Sequence, residues 1–150
     1  MKKFISLLAF CCLAFAVHSQ SANFVTELLG TQKATYGQVS YLSAVYQGLV
    51  KENASQETAL AELKKQKQIK DKVNVSDAVS YKELAGVFAK MWNIKGGLLF
   101  RASKRSPRYA FQQFKIDGIV PRDANPSKKV TGTDVLNVFS QCEYVYGGEK

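Results

Sequence analysis

The sequence is poor in the side chains from which most enzymes and metal sites are built. Of 150 residues one is histidine and three are cysteine, and His18, Cys11 and Cys12 all lie in a short N-terminal segment that reads as an export signal. Met1, Lys2 and Lys3 form its positive start. Phe4 to Val17 is an apolar run broken only by Ser6, long enough for the core of a signal but short of the roughly 20 residues that a membrane span takes. Val17-His18-Ser19 offers cleavage before Gln20, with a cut after Ala22 as the alternative. Two other readings compete. An uncleaved anchor helix lacks a long enough apolar stretch, and lipid attachment at Cys11 or Cys12 sets the bulky Phe10 before the first cysteine. The expected organisation is a signal at 1–19 and one domain over 20–150, exported to the periplasm or cell envelope, with no later apolar run of spanning length.

Without that segment the chain has one thiol, Cys142, and no imidazole. An intramolecular disulfide is excluded, as are Ser-His and Cys-His nucleophiles and a zinc set. Asp117 to Asp123 brackets a glycine but lacks the alternating carboxylates of a calcium loop. Gly96-Gly97 is not followed by the Lys-Ser/Thr of a phosphate-binding loop. Lysine-based dyads and paired carboxylates survive such counting, yet no lysine stands in a recognised spacing to a serine, and Glu27, Glu52, Glu57, Glu62 and Glu83 read as helix surface or caps. The expectation is therefore no enzyme, no metal and no cofactor.

What is present is an internal repeat. At an offset of 51, Ser55 to Phe88 aligns with Ser106 to Phe139 without a gap, with identical pairs that include Ala59/Ala110, Asn74/Asn125, Val79/Val130 and Phe88/Phe139. An offset of 45 brings Thr35 to Val39 onto Ser80 to Leu84 as a third, partial copy. The copies cover 24–50, 55–96 and 106–146. Each carries a hydroxyl followed three residues later by an acceptor side chain, Thr35 with Gln38, Ser80 with Glu83 and Thr131 with Asp134, which is the pattern of a capping box at a helix start.

Apolar residues then recur at helical spacing: Leu84, Val87, Phe88 and Met91 in one copy, Val135, Val138, Phe139 and Cys142 in the next. In the first copy Val39, Leu42 and Tyr46 hold the stripe while Ser43 replaces the phenylalanine. Cys142 is thereby expected to be a packed small hydrophobe rather than a reactive thiol. The other half of each copy is also helical. Ser106 and Pro107 open one such helix, Ala110, Phe111 and Phe114 form its buried face, and Gly118, Ile119 and Pro121 stop it. Its counterpart from Ser55 lacks the glycine and is expected to run on through the lysine-rich stretch. Gly96-Gly97 is expected to close the helix that holds Trp92, with Leu98 to Phe100 as a linker. No stretch alternates with period two, so the fold class is all-α, an array of helix-turn-helix pairs.

Net charge is +9, and the excess of cations gathers in two runs. Arg101, Lys104, Arg105 and Arg108 form one, with Tyr109 and Trp92 close by as rings on which a sugar can stack. Lys64, Lys65, Lys67 and Lys70 form the other, a secondary patch. A solvated helix face and a polar linker are the competing readings. Arginine binds carboxylate and phosphate through a bidentate fork, which makes the first run the stronger binding candidate. In an exported protein the accessible anions are wall polymers, peptidoglycan, lipopolysaccharide and phospholipid head groups; nucleic acid is not an expected partner.

The copy from Arg108-Tyr109-Ala110 through Phe114, Gly118-Ile119 and Pro126 to Thr131 and Asp134 resembles the bacterial S-layer homology repeat. That repeat pairs an Ala-x-x-x-Leu helix face and a Gly-Ile stop with a Pro-containing loop and a Thr-Arg-Ala-Glu helix start. Gly132-Thr133 stands where the family has Arg-Ala, and the Asp-rich opening of the family's first helix is missing. The resemblance implies a non-catalytic module that attaches exported proteins to anionic wall polymer or peptidoglycan. The alternative is a structural module that docks another envelope protein through its Tyr- and Phe-rich faces.

Overall fold

A computed structural model describes residues 22–147; the expected signal at 1–19 lies outside them. All regular structure described is helical. Residues 22–30 form α1, followed by α2 Tyr36–Tyr46, α3 Gln56–Lys65, α4 Tyr81–Met91, α5 Leu98–Ala102, α6 Pro107–Ile116 and α7 Gly132–Tyr146. Among the described residues no helix is long and apolar enough to cross a membrane.

The helices begin where hydroxyl and acceptor side chains stand three apart. The Gln38 N–H donates to Thr35 Oγ1 at 3.3 Å and the Thr35 N–H to Gln38 Oε1 at 3.1 Å. Thr131 and Asp134 make the same exchange at 3.1 and 2.9 Å. At Ser80 both the N–H and the hydroxyl donate to Glu83 Oε2, at 2.8 and 2.6 Å. Such caps satisfy donors that the helix itself leaves unpaired, each contributing about 1 kcal/mol.

One residue before each of these starts lie Ala34, Val79 and Val130, all fully buried. Their backbones close a ring. The Val79 N–H donates to the Ala34 carbonyl at 2.9 Å, Val130 to Val79 at 3.0 Å, and Ala34 to Val130 at 2.8 Å. Three extended segments meeting about an axis can satisfy their buried N–H and C=O groups only by such mutual pairing. Just outside the ring, carbonyls of the connecting loops cap the next free N–H groups: Tyr36 donates to Asp77 and Gly37 to Val75, both at 2.9 Å, while Tyr81 donates to Lys128 at 3.1 Å and Lys82 to Pro126 at 3.0 Å. The Gly132 N–H closes the circuit on the Thr31 carbonyl at 2.9 Å. A side chain at Gly132 would collide with the Leu28 carbonyl, so α7 meets the end of α1 backbone to backbone.

From the ring, α2, α4 and α7 run on as core helices, with α3 packed along α2 and α6 along α4. These pairings join the second helix of one sequence copy to the first helix of the next, so the unit of packing is offset from the unit read in the sequence. Leu28, Leu63, Leu84, Phe88, Phe111 and Phe114 are among the fully buried side chains, each stabilising the fold by about 1.5–3 kcal/mol. Cys142 is buried with them. Where Ser43 replaces the phenylalanine of the other copies, Tyr46 supplies the ring, 5.1 Å from Phe139 and 5.2 Å from Trp92.

Three expected boundaries are corrected. Helix α3 does not continue through the lysines: Lys67 takes a left-handed φ of 56°, and the Gln68 N–H folds back onto the Leu63 carbonyl at 2.9 Å. Helix α4 ends before Gly96-Gly97, because Asn93 takes a φ of 48° and the Ile94 N–H returns to the Ala89 carbonyl at 3.0 Å. Asparagine and even lysine serve as the left-handed stop when the following apolar residue is buried, as Ile94 and Ile69 are. Leu98 to Phe100 is no linker but the start of α5. The stop after α6 is as the sequence implied, with Gly118 at φ 74° and the Ile119 N–H on the Phe114 carbonyl at 2.9 Å.

Candidate functional site

A half-open cleft of about 840 Å³ lies where the C-terminal ends of α2, α4 and α7 converge. Tyr46, Trp92 and Tyr146 are among its lining residues, with Asn93, Gln113 and Asp117 as polar neighbours. The rings are braced from behind. Trp92 lies 5.5 Å from Phe88 and 5.2 Å from Phe139, both edge to face, a geometry that adds about 0.5–1.5 kcal/mol per pair to burial.

Asp117 follows the last turn of α6, where its charge opposes the helix dipole. Donors offset this: Gln113 Nε2 reaches both carboxylate oxygens at 2.9 Å, and the Tyr146 hydroxyl donates to Oδ2. Burial, the hydrogen bond to Asp117 and the charge of Asp117 push the Tyr146 phenol well above its ordinary value. Gln113 Oε1 in turn accepts the Gly97 N–H at 3.0 Å, so one cleft wall is a braced polar chain from Gly97 to Tyr146. Asp117 is the one carboxylate among the lining residues, which leaves no acid pair for glycoside hydrolysis. No group of three or more potential metal ligands occurs among the described residues. The cleft can offer aromatic faces, amides, the Lys95 ammonium and one fixed carboxylate.

Of the residues singled out from the sequence, Trp92 lines the cleft and Arg105 sits beside it, its Nη1 donating to Asn93 Oδ1 at 2.8 Å. Arg101, Lys104, Arg108 and Tyr109 are exposed and outside the lining. They belong to the surface formed by α5 and the start of α6. Phe100, 2% exposed, anchors that segment, and Lys104 and Arg105 turn it with φ values of 55° and 57°. Residues 84–116 contain seven lysines and arginines and no acid at all. Arg108 lies in the first turn of α6, which has no acidic residue; a cation there is opposed by the helix dipole.

The second lysine run is placed differently. Lys64 and Lys65 occupy the last turn of α3, where the dipole favours cations, and Lys65 pairs with Glu62 at 3.5 Å. Lys67 forms the stop of that helix and Lys70 is exposed beyond it. The Lys90 ammonium donates to the Lys67 and Gln68 carbonyls at 2.9 and 3.1 Å.

Sequence reading missed Tyr46, Gln113, Asp117 and Tyr146 as site residues. They come from three helices and meet only because the core helices converge. The three tyrosines five apart in α2 do not share a face: Tyr36 lies near Glu83, Tyr41 donates to the Glu52 carbonyl at 2.5 Å, and Tyr46 alone reaches the cleft. Compared with protein-family models, with curated proteins and with solved structures, the chain matches none.

Proposed function

We propose that this chain is an exported, non-catalytic interaction module of the cell envelope, which holds an anionic wall polymer or peptidoglycan through the surface around Arg101, Lys104, Arg105 and Arg108. The observation that carries this reading is the acid-free stretch 84–116, whose exposed cations include one, Arg108, that helix electrostatics disfavour. Trp92, in the cleft beside Arg105, supplies a ring for a sugar unit. The ring of Ala34, Val79 and Val130 supports three divergent copies of one S-layer homology-like unit in a cyclic array. The departure at Gly132 has a steric reason, since the Leu28 carbonyl leaves no room for an arginine; binding chemistry is then expected away from the helix starts. A partner-docking module without polymer binding is the second reading, favoured by the exposure of Ile116 and Tyr144, 77% and 87%.

The test is retention on isolated peptidoglycan sacculi at low and high salt, beside a variant carrying Arg101→Glu, Lys104→Glu, Arg105→Glu and Arg108→Glu. Retention that falls with salt and is lost in the variant is the expected result, because exposed charge contacts are screened within about 8–10 Å at moderate ionic strength. Salt-independent retention, or none, sinks the polymer reading.

A further inference from the structure

The basic surface carries a feature that a soluble polyanion does not use. Leu98 and Leu99 stand side by side at the start of α5, 82% and 68% exposed, while the next residue, Phe100, is buried and fixes the helix to the body. Leu98 and Arg101 are three residues apart on one helix and therefore neighbours on its surface. Lys95 precedes the pair, and Lys104 and Arg108 follow it, all exposed. Two adjacent leucines held out to water by a buried anchor, within a stretch of sequence that holds cations and no acid, match a bilayer interface, in which apolar side chains enter the acyl boundary while cations meet anionic head groups.

We propose that α5 is a membrane-docking tip, with Leu98 and Leu99 entering the interface of an anionic phospholipid leaflet and Arg101, Lys104 and Arg108 taking its phosphates. The proposal rests on the reading of this surface as anion-binding and names the bilayer as its partner. The attachment is peripheral and reversible: two leucines and a few cations make a weak anchor, far short of an inserted helix.

The experiment is flotation with vesicles of phosphatidylglycerol and phosphatidylcholine, or of phosphatidylcholine alone, using protein recovered from the exporting cell with its N-terminus read by mass spectrometry. Sacculi retention is measured in parallel. Leu98→Ser/Leu99→Ser and Arg101→Glu/Lys104→Glu are compared with the parent, and their melting curves confirm folding. Binding is expected on the anionic vesicles, weakened about tenfold or more by either double variant, as loss of burial or of charge attraction dictates; sacculi retention should respond to the charge variant alone. Unchanged vesicle binding in the leucine variant, or equal binding to neutral vesicles, overturns the proposal. Retention on sacculi without vesicle binding overturns it and leaves the polymer reading standing, whereas loss of both removes the two together. Self-association that depends on the leucines, without vesicle binding, assigns the tip to a second copy and also overturns it.

Discussion

The phenol of Tyr81, the first residue of α4, donates to the Asp134 carboxylate in the first turn of α7 at 2.8 Å. The same Asp134 accepts the Thr131 N–H that caps its own helix, so one carboxylate joins local capping to the packing of two core helices. Tyr36 and Glu83 stand at the corresponding positions of α2 and α4, close enough for the Glu83 charge to act on the phenol. At the remaining junction Gly132 offers no phenol, and Gln38 Nε2 donates to Thr31 Oγ1 at 3.0 Å. Tyr81→Phe should lower stability by about 1.5 kcal/mol, the low end for a hydrogen bond to a charged group because Tyr81 is half-exposed. Urea unfolding followed by circular dichroism measures this; an unchanged midpoint would mean that the bond contributes nothing.

The same contacts make stability sensitive to alkali. Burial, the hydrogen bond to Asp134 and the charge of Asp134 push Tyr81 up to about 12, and burial first, then Glu83, moves Tyr36 in the same direction. A folded pKa above the unfolded value of about 10 means that the contribution is complete below pH 10 and is lost as pH rises through the folded value. The urea midpoint should therefore fall between about pH 10 and 12, and less steeply in Tyr81→Phe. At the acid end, burial works to raise Asp134, but hydrogen bonds from Thr131 and Tyr81 and the charge of Lys128 bring it below its ordinary value. Its contribution is present above pH of about 4 and is lost as pH falls through the lowered folded value.

Much of this architecture was legible in the sequence because it rests on local chemistry. Thr35, Ser80 and Thr131 announce their helices, as do Ser106 and Pro107, since a cap needs only residues within one turn. Of the stops only that at Gly118 was legible, and Gly96-Gly97 pointed to an end of α4 later than the real one. Asn93 and Lys67 adopt the same left-handed turn under the pull of Ile94 and Ile69, a tertiary effect that no local pattern encodes. The cleft was largely hidden for a related reason: Trp92 was visible as an aromatic near cations, but its companions Tyr46, Asp117 and Tyr146 are brought to it by convergence of helices far apart in the chain. Of the ring of Ala34, Val79 and Val130, only the identity of Val79 and Val130 at an offset of 51 was visible; its hydrogen bonds join backbone groups, which carry no side-chain signature.

Lys67 and Gly118 are aligned by the offset of 51 and share left-handed φ values of 56° and 74°. A lysine there bears strain that glycine does not, of the order of 1 kcal/mol, partly offset by the freer unfolded chain of a glycine variant. Lys67→Gly should therefore stabilise by about 0.5 kcal/mol, and Gly118→Ala should destabilise by about 1 kcal/mol, with nothing within 4 Å of the added methyl to confuse the result. Paired thermal melts read both changes. Shifts of the same sign in the two variants would contradict the shared strain.

Cys142 allows export and packing to be tested with one reagent. Its side chain is fully buried, and burial together with the charge of Asp117 pushes its thiol well above its ordinary pKa, so both access and thiolate are lacking in the folded protein. An aromatic disulfide reagent at pH of about 8 should find no reactive thiol in the native chain recovered after export. In denaturant the count should rise to one per chain if residues 1–19 have been removed, and to three if Cys11 and Cys12 are retained as free thiols. A native thiol that reacts at the rate of the unfolded chain would contradict the packing of α7. A denatured count of three would contradict removal of the signal.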